Sequence, residues 1–118
     1  MKLEHFADLI ARQKVRELVT TLYDNTRNCK YYGLKDRICA DAELALSLIA
    51  RGFATGQNAS IKDSFIQAKG LLVSVESASL LLLDLGAIDY DEQRKIQNIV
   101  AHANKMLSAF IKSILAQW

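Results

Sequence analysis

Apolar side chains recur at spacings of three and four residues along most of the chain, which is the pattern of helices with one buried face. The first helix is predicted from about residue 3 to residue 26, and the segment 28–33 (NCKYYG) then breaks the pattern. A second helix is predicted from about residue 34 to residue 55, closed by Gly56, Gln57 and Asn58. The predicted core positions are Val15, Leu18, Val19, Leu22 and Tyr23 in the first helix, and Ile38, Ala42, Ala45, Ile49 and Phe53 in the second.

Capping patterns mark the other two helices. Ser60 followed by Asp63 predicts the start of a third helix, and Gly86 predicts its end. Asp89 followed by Glu92 predicts a fourth helix that begins near residue 90 and continues almost to the last residue. The predicted core positions are Phe65, Ala68, Leu72, Val75, Ser79 and Leu82 in the third helix, and Ile96, Ile99, Ala103, Met106, Phe110 and Ile114 in the fourth.

Four helices of similar length, joined by short loops, predict an all-α fold in the form of an antiparallel up-and-down four-helix bundle. The 118 residues include no proline, and 51% of them are hydrophobic, which suits one globular domain over residues 1–118. A mean hydropathy of +0.07 is slightly apolar for a domain of this size. Part of the surface is therefore expected to need a partner.

Apolar residues outside the core stripes predict a second apolar face. Four consecutive leucines, 80–83, leave that turn of the third helix without a polar side. Exposed apolar patches of this size usually mark an interface, so we expect a homo-oligomer. The alternative is a monomeric bundle with wide apolar stripes. The residues predicted for the subunit interface are Leu44, Leu48, Leu80, Leu81, Leu83, Leu107, Ile111 and Trp118.

Cysteine usage and the length of the apolar run limit the location of the protein. Cys29 and Cys39 permit one disulfide, but no basic and apolar leader directs the chain to an oxidising compartment, so we expect free thiols and a cytoplasmic protein. The leucine run is bounded by Glu76 and Asp84, far short of the ~20 apolar residues of a membrane span. No membrane partner is expected.

The order of residues resembles a known family, the small four-helix-bundle proteins encoded within intervening sequences of bacterial large-subunit ribosomal RNA genes. The similar segments are FADLIARQKVRELV at 6–19, YGL at 32–34, IKDSFIQAKGLLVSVESASLLLLDLGAI at 61–88 and MLSAFIKSI at 106–114. Together they cover most of the chain. The most specific part is the framework of Gly70, Glu76, Leu80, Leu85, Gly86 and Ile88.

The chain also departs from the pattern of that family. The family typically has a proline inside the second helix and an Asn-Ile-Ala-Glu-Gly segment near its end, where this chain has LIARG at 48–52. The loop between the first and second helices is also shorter than is usual in that family. These differences indicate a divergent branch, and one branch contains the accessory variability determinants of diversity-generating retroelements. The resemblance implies a ring-shaped homopentamer, which in the retroelement branch associates with a reverse transcriptase and with nucleic acid.

The charge distribution offers separate support for a nucleic-acid partner. The net charge of +2 is too small to argue from, but residues 12–37 contain seven bases and three acids, whereas residues 38–88 contain three bases and five acids. We therefore expect a basic end around the first loop, where two tyrosines offer rings for stacking. The alternative is a solvated helix face with a tyrosine packed as a cap. The residues predicted to bind RNA or DNA are Arg12, Lys14, Arg16, Arg27, Lys30, Tyr31, Tyr32, Lys35 and Arg37.

Enzymatic chemistry has little support in the sequence. His5 and His102 lie far apart with no Cys or His at ligand spacing, and the Glu-x-x-His motif of di-metal bundles does not occur. Glu76 is interpreted as a buried or interface hydrogen-bonding residue rather than a catalytic acid. Gly52 and Gly70 lie inside helices, where we expect them to allow close helix approach. We thus expect no enzyme activity, no metal and no cofactor. The two remaining hypotheses are a nucleic-acid-associated accessory protein and a structural or protein-interaction ring that binds no nucleic acid.

Overall fold

The structure is a computed structural model, which describes the backbone of residues 3–55 and 57–116 and the side chains of residues 9–54 and 57–115. These residues form four α-helices and no strand, which confirms the all-α prediction. The helices are α1 (Leu3–Asn25), α2 (Tyr32–Thr55), α3 (Asn58–Asp84) and α4 (Tyr90–Ala116).

The four helices form a bundle in which each one packs against its neighbours in sequence and α4 packs against α1. In the described parts of the chain, no Cα atoms of α1 and α3 lie within 8 Å of each other, nor do those of α2 and α4, so these are the diagonal pairs. The molecule measures 47 × 22 × 19 Å. Helices of 23 to 27 residues run most of this length, at about 1.5 Å per residue. The short loops therefore reverse the chain at each end.

The start of α3 corrects one prediction. α3 begins at Asn58, after Gln57, whose backbone is extended and whose side chain makes no capping hydrogen bond. Ser60 and Asp63 consequently lie inside the helix, and the predicted cap at Ser60 was wrong. The physical reason is the length of the connection. Because α2 continues to Thr55, only two residues separate the helices, and the chain enters α3 before it reaches Ser60.

The end of α3 and the start of α4 match their predictions. Gly86 has a φ of +74°, in the left-handed region that favours glycine, and the amide of Ala87 bonds back to the carbonyl of Leu82. The amide of Glu92 donates to Asp89 Oδ1 at 2.8 Å, and the amide of Asp89 donates to Glu92 Oε1 at 3.0 Å. This reciprocal capping box sets the start of α4.

The core contains three phenylalanine rings near the ends of α2 and α4. Phe53, Phe65 and Phe110 have ring centroids 4.9 to 6.1 Å apart. A Cβ at Gly52 would lie 3.0 Å from the Phe65 ring, so close helix approach does account for this glycine. No atom lies within 4 Å of the corresponding position at Gly70, so the expected close approach does not occur there within the subunit.

The buried stripes are wider than the sequence pattern predicted, because each helix packs against two neighbours. Leu48 and Leu107, predicted at the subunit interface, are buried in the core of the subunit itself. Their side chains are thus not available to a second subunit. Conversely, Tyr23 is exposed and Met106 is only half-buried, although both were predicted in the core. Among the described residues of α4, the buried apolar side chains are Ile96, Ile99, Val100, Ala103, Leu107, Phe110 and Ile114.

α3 is long and apolar enough to cross a membrane by length and composition, with a mean hydropathy of 1.4 over 18 residues. The core helix of a soluble bundle passes the same test, and α3 packs seven buried residues against the other helices. Only 28% of the window is buried, however. Much of the apolar surface of α3 therefore faces outward.

Candidate nucleic-acid interface

The first and third loops lie side by side at one end of the bundle, which we call the loop end. The antiparallel arrangement brings the α1–α2 connection (residues 26–31) next to the α3–α4 connection (residues 85–89). A shallow pocket at this end has walls from both connections. Its lining includes Asn28, Lys30, Tyr31, Gly86 and Glu92.

The loop end is not basic overall, because acids in and beside the α3–α4 connection offset the bases in and beside the α1–α2 connection. Residues 24–37 contribute four bases and two acids, whereas residues 84–95 contribute two bases and four acids. The formal charges of the two segments cancel. The excess of bases in residues 12–37 therefore does not make the loop end basic, because residues 84–95 offset the formal charge of residues 24–37.

The predicted residues of the first loop are accessible. Arg27 pairs with Asp24 at 2.9 Å, and both side chains are largely exposed. Lys30 is exposed, and Tyr31 and Tyr32 keep 45% and 70% of their surface accessible. The rings can therefore stack on a ligand. Tyr32 is the first residue of α2 rather than part of the loop.

The predicted residues of α1 lie away from the loop end. Arg16 and Arg12 precede the last residue of α1 by 9 and 13 positions, a distance of about 13 to 20 Å along the helix. Arg12 is half-buried, with its guanidinium carbon 6.0 Å from the centroid of the Phe53 ring. Lys14 contacts Glu17 at 3.5 Å. The structure therefore does not bring the nine predicted residues into one patch.

A groove between α1 and α4 brings Lys14, which was predicted to bind nucleic acid, together with basic side chains of α4 that the sequence reasoning did not assign to a site. Lys14 lies on one side, and Arg94, Lys95 and His102 of α4 contribute the other. Glu17 and Asp91 are the acids in its lining. From residue 94 to residue 116, α4 contains four Lys or Arg and no Asp or Glu. This acid-free stretch was readable from the sequence, but only the helix packing shows that it continues the surface that holds Lys14.

The side formed by α2 and α3 has a different character and exposes apolar side chains. Val73 is 54% exposed and Leu81 is 44% exposed, and both line a shallow groove between the two helices. Ile66, Val73 and Leu80 repeat every seven residues and so share one outer face of α3. We call the exposed residues Leu44, Ile66, Val73, Leu80 and Leu81 the apolar face.

Other predicted interface residues have different positions. Leu83 and Ile111 are half-buried and pack against the core of the subunit. Trp118 lies outside the described residues. The apolar face therefore consists mainly of residues of α3, and α2 contributes Leu44.

Titratable side chains show no convergent arrangement in the described residues, where no three His, Cys, Asp or Glu groups come together. The side chain of His5 lies outside that range, and His102 is exposed. Cys29 and Cys39 are buried free thiols, and burial raises the pKa of Cys39 above its ordinary value of 9.0. Glu76 is half-buried, and its backbone carbonyl accepts a hydrogen bond from the Ser79 hydroxyl at 2.6 Å.

Comparison of the chain with protein-family models, with curated proteins and with solved structures found no significant match.

Proposed function

We propose that the protein is a non-enzymatic, oligomeric helical bundle that acts as a nucleic-acid-associated accessory protein. One observation carries the proposal: the outer surfaces of the bundle differ in chemistry. The α2–α3 side exposes the apolar face, whereas the α1–α4 side exposes cations along an acid-free helix. This division allows one side to pack against other subunits while the opposite side remains open to a charged partner.

The apolar face supports self-association. Fully burying a Leu, Ile or Val side chain stabilises by about 1.5 to 3 kcal/mol, and these side chains are roughly half exposed, so each retains a substantial part of that gain. Gly70 lies between Ile66 and Val73 on the same side of α3 and is exposed. A mid-helix glycine costs about 1 kcal/mol relative to alanine, and nothing within the subunit requires it. Close approach of a neighbouring subunit would account for Gly70.

The subunit number and the protein partner come from the family resemblance. It implies a homopentameric ring, and for the retroelement branch it implies association with a reverse transcriptase. Copies of a basic surface repeated around a ring would contact one nucleic-acid chain together, so weak contacts would add. We therefore propose that the protein forms this ring and that it associates with a reverse transcriptase.

A binding titration tests the proposed function. A fluorescently labelled RNA hairpin, a single-stranded DNA and a DNA duplex would each be titrated at several salt concentrations. Phosphate contacts predict that the logarithm of the association constant falls linearly with the logarithm of the salt concentration. If the wild-type protein has no salt-sensitive affinity for any of the three, nucleic-acid binding is ruled out. The exposed apolar face would then favour the second candidate, an interaction ring that binds no nucleic acid.

A further inference from the structure

The outer side of α4 carries a continuous row of exposed residues. Arg94, Asn98, His102, Lys105 and Lys112 are separated by four, four, three and seven positions, so they lie along one side of the helix. All five are exposed. The row spans about 27 Å at the rise of an α-helix. We call these five residues the α4 track.

The positive charge of the α4 track is not neutralised within the described residues. Its cations form no ion pair there, and the nearest acids along the chain, Asp91 and Glu92, precede the track. Glu92 is occupied by the capping box with Asp89. The stretch from residue 94 to residue 116 therefore keeps a formal charge of +4, and the acids that lie beside it in the α1–α4 groove are Glu17 and Asp91, at the start of the track.

Two further features favour an anionic ligand at the start of the track. The guanidinium of Arg94 lies over the Tyr90 ring, 5.8 Å from its centroid, and one of its nitrogens is 3.4 Å from the tyrosine hydroxyl. This contact orients Arg94 while leaving other N–H donors available. Lys14 of α1 lies across the groove, where its contact with Glu17 at 3.5 Å offsets part of its charge.

We propose that the α4 track binds the phosphodiester backbone of a nucleic acid. This inference rests on the proposed function and moves the binding site from the loop end, where acids and bases balance, to the side of α4. Arg and Lys side chains bind phosphate through charge-assisted hydrogen bonds, and the amide of Asn98 adds a neutral donor. Phosphate contacts position a nucleic acid without reading its sequence. The track therefore binds RNA and DNA with little sequence preference.

Two variants that remove the same charge test the position of the site. The track variant carries Arg94→Gln, Lys105→Gln and Lys112→Gln. The loop-end variant carries Arg27→Gln, Lys30→Gln and Lys35→Gln. Glutamine forms helices about as well as the residues that it replaces, so both variants should keep their helices. Circular dichroism and light scattering check folding and assembly, and the single variant Lys105→Gln serves if the triple track variant does not fold.

Affinity for the RNA hairpin and the DNA duplex is measured between about 50 and 200 mM salt. For the duplex, each lost contact lowers the salt slope by about 0.9, so for each subunit that contacts the duplex the track variant should lose two to three units and Lys105→Gln about one. The loop-end variant should keep the wild-type slope. The inference is overturned if the track variant keeps the wild-type salt slope, or if the salt slope decreases equally in both triple variants. Either result leaves the proposed function intact. Absence of wild-type binding overturns both.

Discussion

The hydroxyl of Tyr23 in α1 donates a hydrogen bond to Glu43 Oε1 in α2 over a distance of 2.9 Å. The sequence pattern placed Tyr23 in the core, but the ring lies at the surface and links the two helices through its polar end. The hydrogen bond needs the phenolic proton, and the adjacent carboxylate repels a phenolate. Both effects raise the pKa of Tyr23 above its ordinary value of 10.0.

The raised pKa values of Tyr23 and Cys39 predict a loss of stability at alkaline pH. In each case the folded protein favours the neutral form, because of the Glu43 contact for Tyr23 and burial for Cys39. The stabilisation is complete below the pKa of the unfolded chain and is lost as the pH rises through the higher pKa of the folded state. We expect the decline to begin near the ordinary pKa of Cys39, 9.0, and to continue above that of Tyr23, 10.0.

Urea unfolding between pH 8 and 11, at one fixed protein concentration, measures this dependence. Tyr23→Phe and Cys39→Ala should each give a shallower decline than the wild-type protein above the ordinary pKa of the residue removed. If the free energy of unfolding of Tyr23→Phe fell with pH as steeply as that of the wild-type protein, the contact with Glu43 would not stabilise the fold.

Two glycines should respond in opposite ways to replacement by alanine, because one has a left-handed backbone and the other lies in a helix. Gly86→Ala should lower the free energy of unfolding by about 1 to 2 kcal/mol, because its φ of +74° strains any residue with a Cβ. Gly33→Ala is the matched control. Gly33 lies in the first turn of α2 with open space around it, so alanine should stabilise by about 0.4 to 1 kcal/mol. Thermal melts of both variants provide the comparison, and a Gly86→Ala melt at or above that of the wild-type protein would contradict it.

Two leucines of the apolar run, two positions apart, should respond differently to replacement by glutamate. Leu81 is 44% exposed on the apolar face, so Leu81→Glu should separate the subunits while preserving helicity. Leu83 is half-buried and packs against the core, so Leu83→Glu should lower the stability of the subunit itself by about 1 to 3 kcal/mol, since its carboxylate would lie partly out of water among apolar side chains. Light scattering reports the mass and circular dichroism the fold. A Leu81→Glu variant that remains assembled would place Leu81 outside the interface.

Local signals in the sequence predicted the fold well where one short segment determines the structure. The capping box of Asp89 and Glu92 and the left-handed Gly86 depend on only a few neighbouring residues, and both are present. Ser60 and Asp63 form a similar pattern without acting as a cap, because the length of the α2–α3 connection decides where the chain enters α3. A sequence window does not contain that constraint.

The surface of the bundle was harder to predict, because it depends on which helices become neighbours. Leu107 appeared to lie outside the core stripe of α4, yet it is fully buried because α4 packs against both α1 and α3. Similarly, the bases near Lys30 predicted a basic end, but the fold places the α3–α4 connection and Glu92 beside Lys30. The groove that joins Lys14 to Arg94 unites residues 80 positions apart.

The mass of the wild-type protein in solution tests most directly whether the apolar face is a subunit interface, on which the account of a two-sided bundle depends. Light scattering coupled to size exclusion at micromolar concentration should give several times the subunit mass of 13.2 kDa, and five times that mass for the proposed ring. A mass of 13.2 kDa at micromolar concentration would contradict the account.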